Sequence, residues 1–125
     1  MHYFTPSILI ADDDEEELLT LDRFFRMEGY TTCLANDGYT AVKIVRSREL
    51  DLVITDVSMP GLSGIETVRE IKLIRPQMPI IVMTGYLSKE IMVSALEEGA
   101  YCLLRKPIEI NYLRQIVREI LPLWP

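Results

Sequence analysis

Cysteine, basic charge and long apolar runs are all scarce in this chain, and each shortage removes a class of protein. Cys33 and Cys102 are the only two cysteines, and both lie inside apolar stretches instead of a close-spaced metal or redox motif. Two buried, reduced thiols in a cytoplasmic protein are expected, not a disulfide. Lysine and arginine number 13 against 19 acids, a formal net charge of −6. That balance speaks against direct nucleic-acid binding, because such surfaces carry a basic patch that meets phosphates. No segment is long and apolar enough to span a bilayer. The start, Met1-His2-Tyr3-Phe4-Thr5-Pro6, has no basic stretch followed by an apolar run, so it does not read as a secretory signal. Linkers, repeats and low-complexity tracts are missing too.

What is present suits one domain over residues 1–125: 49% of the residues are hydrophobic and 26% charged, enough apolar material for one core. Short apolar runs alternate with amphipathic stretches along the whole length, the mark of βα units around a parallel sheet. The runs are Ile8–Ala11, Thr31–Ala35, Leu52–Thr55, Pro79–Met83 and Tyr101–Leu104. The second, with its threonines, reads as an edge strand, whereas three of the others are apolar enough for central strands covered on both faces. Between them Leu18, Leu21 and Phe25 recur at helical spacing, as do Ala41 and Val45, and later Leu113, Ile116, Val117 and Ile120. Gly29 closes the first helix, Asn36 or Asp37 caps the second, Gly64 begins the third and Pro76 ends it. Ser88 and Gly99 bracket the fourth, and Pro122 stops the fifth. Helices on both faces of a doubly wound α/β sheet follow, with ligands expected beyond the carboxyl ends of the strands.

At those ends stand Asp12 and Asp13, then Asp56, Thr84 and Lys106. Carboxylates gathered there repel by about 4 kcal/mol per pair at about 4 Å and an effective dielectric of about 20. A hard divalent cation, Mg²⁺, would offset this through oxygen ligands and adapt the site to phosphate. Lys106 and Thr84 would complete a cradle for a phosphoryl group, and an Asp can be its nucleophilic acceptor. Asp12 to Glu17 form a run of six acids. Glu15, Glu16 and Glu17 are read as a solvated helix start favoured by the helix dipole.

The segments Ile8-Leu9-Ile10-Ala11-Asp12-Asp13-Asp14, Leu52-Val53-Ile54-Thr55-Asp56-Val57-Ser58-Met59-Pro60-Gly61-Leu62-Ser63-Gly64, Ile81-Val82-Met83-Thr84-Gly85 and Lys106-Pro107 together resemble the receiver domain of bacterial two-component response regulators. The resemblance covers essentially the entire chain. It implies a flavodoxin-like, five-stranded parallel sheet in the order 2-1-3-4-5 with five helices. It implies that Asp56 is the phosphoacceptor, and that Asp13, Asp56 and the backbone carbonyl of Ser58 bind Mg²⁺, with Asp12 close by or acting through water. Thr84 and Lys106 would hold phosphoryl oxygens, Gly85 would leave room for the group, and Lys106-Pro107 would be a cis peptide bond. Ser58 and Tyr86 occupy positions that tune water access, and Tyr86 is expected to shield the site.

One position departs from the family pattern: Leu103 stands where an aromatic switch residue is common. Tyr101, on the same side of the strand, is expected either to take over part of that role or to fill the groove under the fourth helix. The resemblance implies a sensor histidine kinase or phosphotransfer protein as donor and the surface of the fourth helix, fifth strand and fifth helix as output. A downstream effector, or a homodimer formed on phosphorylation, would read it. Ending at Leu123-Trp124-Pro125, the chain is read as a stand-alone regulator or as excised from a longer protein. Two rivals are an Asp-x-Asp phosphatase using Asp12 and Asp14, which lacks the following threonine and a cap domain, and a receiver-like interaction module that is never phosphorylated. A flavin- or nucleotide-binding domain is weaker, since no glycine-rich loop follows the first strand.

Overall fold

The five apolar runs become five strands: β1 (Ser7–Ala11), β2 (Thr31–Ala35), β3 (Leu52–Asp56), β4 (Ile80–Thr84) and β5 (Cys102–Arg105). Between and after them run α1 (Glu15–Met27), α2 (Gly38–Ser47), α3 (Gly64–Ile74), α4 (Lys89–Glu97) and α5 (Ile110–Ile120). This computed structural model describes residues 5–122. The readings that rest on Met1 to Phe4 and on Leu123-Trp124-Pro125 lie outside the described residues. The strands are all parallel, in the order β2-β1-β3-β4-β5, which is the flavodoxin-like arrangement expected. Every residue of β3 and β4 is buried, as their apolar composition requires, and β2 is an edge.

Alternation along the strands sorts the core into two layers, because successive side chains point to opposite faces. Ile8, Ile10, Leu52, Ile54, Ile81 and Met83 face α1 and α5, where Leu18, Leu21, Phe25, Leu113, Ile116 and Val117 cover them. Leu9, Val53, Ile80 and Val82 face α2, α3 and α4, meeting Ala41, Val45, Val68, Ile71 and Ala95. Phe25 is fully buried, so Phe25→Ala is worth about 3–5 kcal/mol. Arg114 lies over the Phe24 ring at 5.0 Å and bonds Glu28 at 2.8 Å, tying α5 to the end of α1. Cys33 and Cys102 are both free and belong to opposite layers. Cys102 is half-buried, not buried, because β5 is the other edge strand.

Helix ends follow local chemistry. Of the two candidates it is Asp37 that caps α2, and Ser88 caps α4. Gly29 and Gly99 leave α1 and α4 with φ of 99° and 105°, values a side chain disfavours. Among the described residues no helix is long and apolar enough to cross a membrane.

Candidate functional site

All strands are parallel, so their carboxyl ends share one rim, and the site is built there. Asp12 directly follows β1, its N–H continuing the ladder to Ala35 O at 3.1 Å, and it is fully buried. Its Oδ1 accepts the Asp14 N–H at 3.0 Å and its Oδ2 meets Lys106 Nζ at 3.1 Å. Asp56 is the last residue of β3 and not, as read from the sequence, the first after it. The loop turns back on it: Ser58 N–H donates to Asp56 Oδ1 at 3.2 Å. Gly64 lets α3 start against the same backbone, since a Cβ there would lie 2.1 Å from Asp56 O.

Lys106 follows β5, and its N–H donates to Thr84 O at 2.7 Å. The Lys106-Pro107 bond is cis. From there Nζ reaches Asp56 Oδ2 at 2.7 Å and Glu17 Oε2 at 2.5 Å besides Asp12. The lysine joins β1, β3, β5 and α1 in one point of charge. Burial opposes its ammonium, but the hydrogen bonds to Asp56, Glu17 and Asp12 outweigh that, and its pKa rises above the ordinary lysine value.

Asp13 is exposed, yet one carboxylate oxygen each from Asp12, Asp13 and Asp56 come within 4.8 Å of one another. Such a cluster is short of positive charge. Burial, above all, pushes the Asp12 carboxyl up to about 7; the Asp14 N–H and Lys106 counter it, while Glu17 and Asp56 add to it. The donors are carboxylate oxygens with no nitrogen or sulfur, the set that suits a hard divalent cation.

Thr84 ends β4 and is buried, but its hydroxyl is engaged within its own loop. It donates to Tyr86 O at 2.9 Å and accepts from Tyr86 N–H at 3.1 Å. A Cβ at Gly85 would meet nothing within 4 Å, so the space beside it is open. Tyr86 is 76% exposed, and that position gives no support to shielding by its ring. Tyr101 precedes β5 and is 53% exposed. It lies one pleat repeat farther from the rim than Leu103, which packs on the core layer of α2, α3 and α4.

Two sequence readings change at α1. Asp14, the second acid of the phosphatase pattern, is its N-cap, with Oδ1 accepting from Glu16 and Glu17 N–H at 3.0 and 3.2 Å. Glu17, read as a solvated helix start, instead belongs to the site. Its place three residues after the cap pointed elsewhere, since an acid there commonly turns back to the cap's own N–H. Beside it, a cleft of about 700 Å³ between α1 and the loop before α5 is lined by Leu21, Phe24, Met83 and Ile108 together with Lys106.

Residues 8–118 match the response regulator receiver domain. The chain belongs to that family. It is 40% identical over 114 residues to the transcriptional regulatory protein ZraR of Klebsiella oxytoca, a match spanning 91% of this chain and 26% of that protein. The receiver therefore spans about a quarter of that curated relative's length. Sporulation initiation phosphotransferase F of Bacillus subtilis (strain 168) is 36% identical over 116 residues, covering 93% of this chain and 94% of that protein. Among solved structures, a response regulator protein from Burkholderia pseudomallei with a phosphorylated aspartic acid, calcium ion and citrate superposes with a TM-score of 0.83. It is 26% identical, over 94% of this chain and 67% of that one. Receiver domains are signalling phosphoacceptors, and the cluster of Asp12, Asp13 and Asp56 fits the phosphorylation site of the family.

Proposed function

We propose that residues 1–125 form one receiver domain that accepts a phosphoryl group on Asp56, with Mg²⁺, from a sensor histidine kinase or a phosphotransfer protein. The observation that carries this reading is Lys106 Nζ at 2.7 Å from Asp56 Oδ2, within a cluster of three carboxylates, Asp12, Asp13 and Asp56, whose oxygens lie within 4.8 Å of one another. The phosphorylated aspartic acid and the calcium ion of the Burkholderia protein support it.

An Asp56 carboxylate oxygen attacks phosphorus in line. The new O–P bond forms as the donor's P–N bond breaks, and the leaving imidazole keeps the electron pair. Asp13, Asp56 and the Ser58 carbonyl would hold the Mg²⁺, with Asp12 close by or acting through water. When bound, the ion neutralises charge on the carboxylates and on the phosphoryl oxygens. Lys106 holds one phosphoryl oxygen and Thr84 another. For that, the Thr84 hydroxyl has to leave the Tyr86 carbonyl, so arrival of the group shifts the loop between β4 and α4. The chain catalyses only its own phosphoryl transfer and slow dephosphorylation.

Output runs through the surface of α4, β5 and α5. Leu87, Met92, Val93, Leu96, Tyr101 and Tyr112 are all exposed apolar or aromatic side chains there, a density that suits a partner. A downstream effector in the cytoplasm, or a second copy on phosphorylation, reads that surface, and Tyr101 takes part of the role of the aromatic missing at Leu103. Direct contact with nucleic acid is not part of the reading, given the net charge of −6.

Intact mass after incubation with acetyl phosphate and Mg²⁺ tests this. The wild type gains one phosphoryl group and Asp56→Asn gains none. A wild type that gains none from acetyl phosphate or from a histidine kinase overturns the reading and leaves an interaction module.

A further inference from the structure

Glu17 is the third residue of α1, and its backbone N–H is held by the cap Asp14 at 3.2 Å. An acid at this position ordinarily returns the favour by accepting the cap's N–H. Here that N–H is already bonded to Asp12 Oδ1 at 3.0 Å. The Glu17 carboxylate turns instead to Lys106, and its 2.5 Å contact is shorter than those of Asp56 at 2.7 Å and Asp12 at 3.1 Å. An ammonium has three hydrogens to donate. All three of the carboxylates that meet Lys106 Nζ are thus matched one to one.

A phosphoryl oxygen then finds no free donor on Lys106 unless one carboxylate lets go. The Asp12 and Asp56 side chains are 0% and 7% exposed, whereas that of Glu17 is 44% exposed. Glu17 alone regains water on release, so it leaves at the least cost.

We infer that Glu17 is a positioning residue that ties Lys106 in the unphosphorylated chain and releases it to the incoming phosphoryl group. The inference rests on the reading of Asp56 as phosphoacceptor. By drawing the ammonium outward, Glu17 leaves more negative charge on Asp12 and Asp56 for a divalent cation. It also withholds Lys106 from an anionic donor. Removing the tether therefore moves two properties in a joint signature, weaker metal binding and faster phosphoryl uptake.

The test compares the wild-type chain with Glu17→Gln and, as control, Glu15→Gln, which removes the same charge from an exposed residue with no contact to Lys106. The Mg²⁺ dissociation constant is read by calorimetry, and the initial rate of mass gain from acetyl phosphate is read at saturating Mg²⁺. In Glu17→Gln both the dissociation constant and the rate rise about two- to five-fold, the range for a partly exposed ion pair. Glu15→Gln matches the wild type in both. With a wild type that takes up the phosphoryl group, any other combination for Glu17→Gln overturns the tether, and an equal response in Glu15→Gln overturns it as a general charge effect. A wild type that takes up none sinks the phosphoacceptor reading, and the Mg²⁺ measurement still decides for Glu17: an unchanged constant overturns it.

Discussion

Helices α1 and α3 start on the same rim, after the neighbouring strands β1 and β3, and both carry a glutamate at their third position. At α3 the pattern closes on itself: Ser63 accepts the Glu66 N–H and Glu66 accepts the Ser63 N–H, each at 3.3 Å. At α1 the cap's N–H is occupied by Asp12, and Glu17 crosses to Lys106. One four-residue pattern thus finishes a helix where the cap's N–H is free and serves a site where that N–H is taken. The difference lies in a single buried neighbour.

The largest expected effect comes from that neighbour. Burial first, and Glu17 and Asp56 after it, push the Asp12 carboxyl from 3.8 to about 7 in the folded chain. Between those pH values the unfolded chain has lost a proton that the folded one keeps, so the stabilisation is full below about pH 4 and declines as pH rises towards 7. Measured by urea unfolding in EDTA, the wild type loses up to about 4 kcal/mol relative to Asp12→Asn across that window. Parallel profiles for the two chains would mean that burial does not hold the Asp12 carboxyl above its ordinary value.

Next in size are the first helical positions. Gly64→Ala puts a methyl 2.1 Å from Asp56 O, backbone that cannot yield, and costs about 3 kcal/mol. Glu15→Ala, the matching change at α1, stays within about 0.5 kcal/mol. Denaturation midpoints of the pair show whether α3 is the end held by close packing.

Caps come third. Ser63→Ala lowers stability by about 1 kcal/mol and leaves the Mg²⁺ dissociation constant unchanged; a shifted constant would mean that α3's start also feeds the metal cluster. The smallest effect is that of Glu66→Gln, within about 0.5 kcal/mol by thermal unfolding, because the amide oxygen still accepts the Ser63 N–H. Set beside Glu17→Gln, which moves the two site measurements, this pair separates the closed pattern from the open one.

Much of this could be read along the chain. The stripes Leu18-Leu21-Phe25 and Leu113-Ile116-Val117 are buried as their period requires, and Asp12, Asp13, Asp56 and Lys106 meet because parallel strands end together. Edges were less legible. The last apolar run was read from Tyr101, whereas β5 begins at Cys102 and Tyr101 only donates its N–H to Ile80 O at 2.8 Å. A short edge strand carries no marker for its first residue. The Thr84 hydroxyl could not be read either, since its bonds to Tyr86 depend on the course of the following loop.

The sequence by itself determined the βα alternation, the two-layered core and the gathering of acids and lysine at one rim. These follow from side-chain period and strand direction, properties of neighbouring residues. Only the tertiary structure decided which acids Lys106 meets. Glu17 lies 89 positions from it, and their contact exists because α1 packs against the same sheet that β5 ends, with Asp12 already holding the cap that would otherwise have kept Glu17 on its own helix.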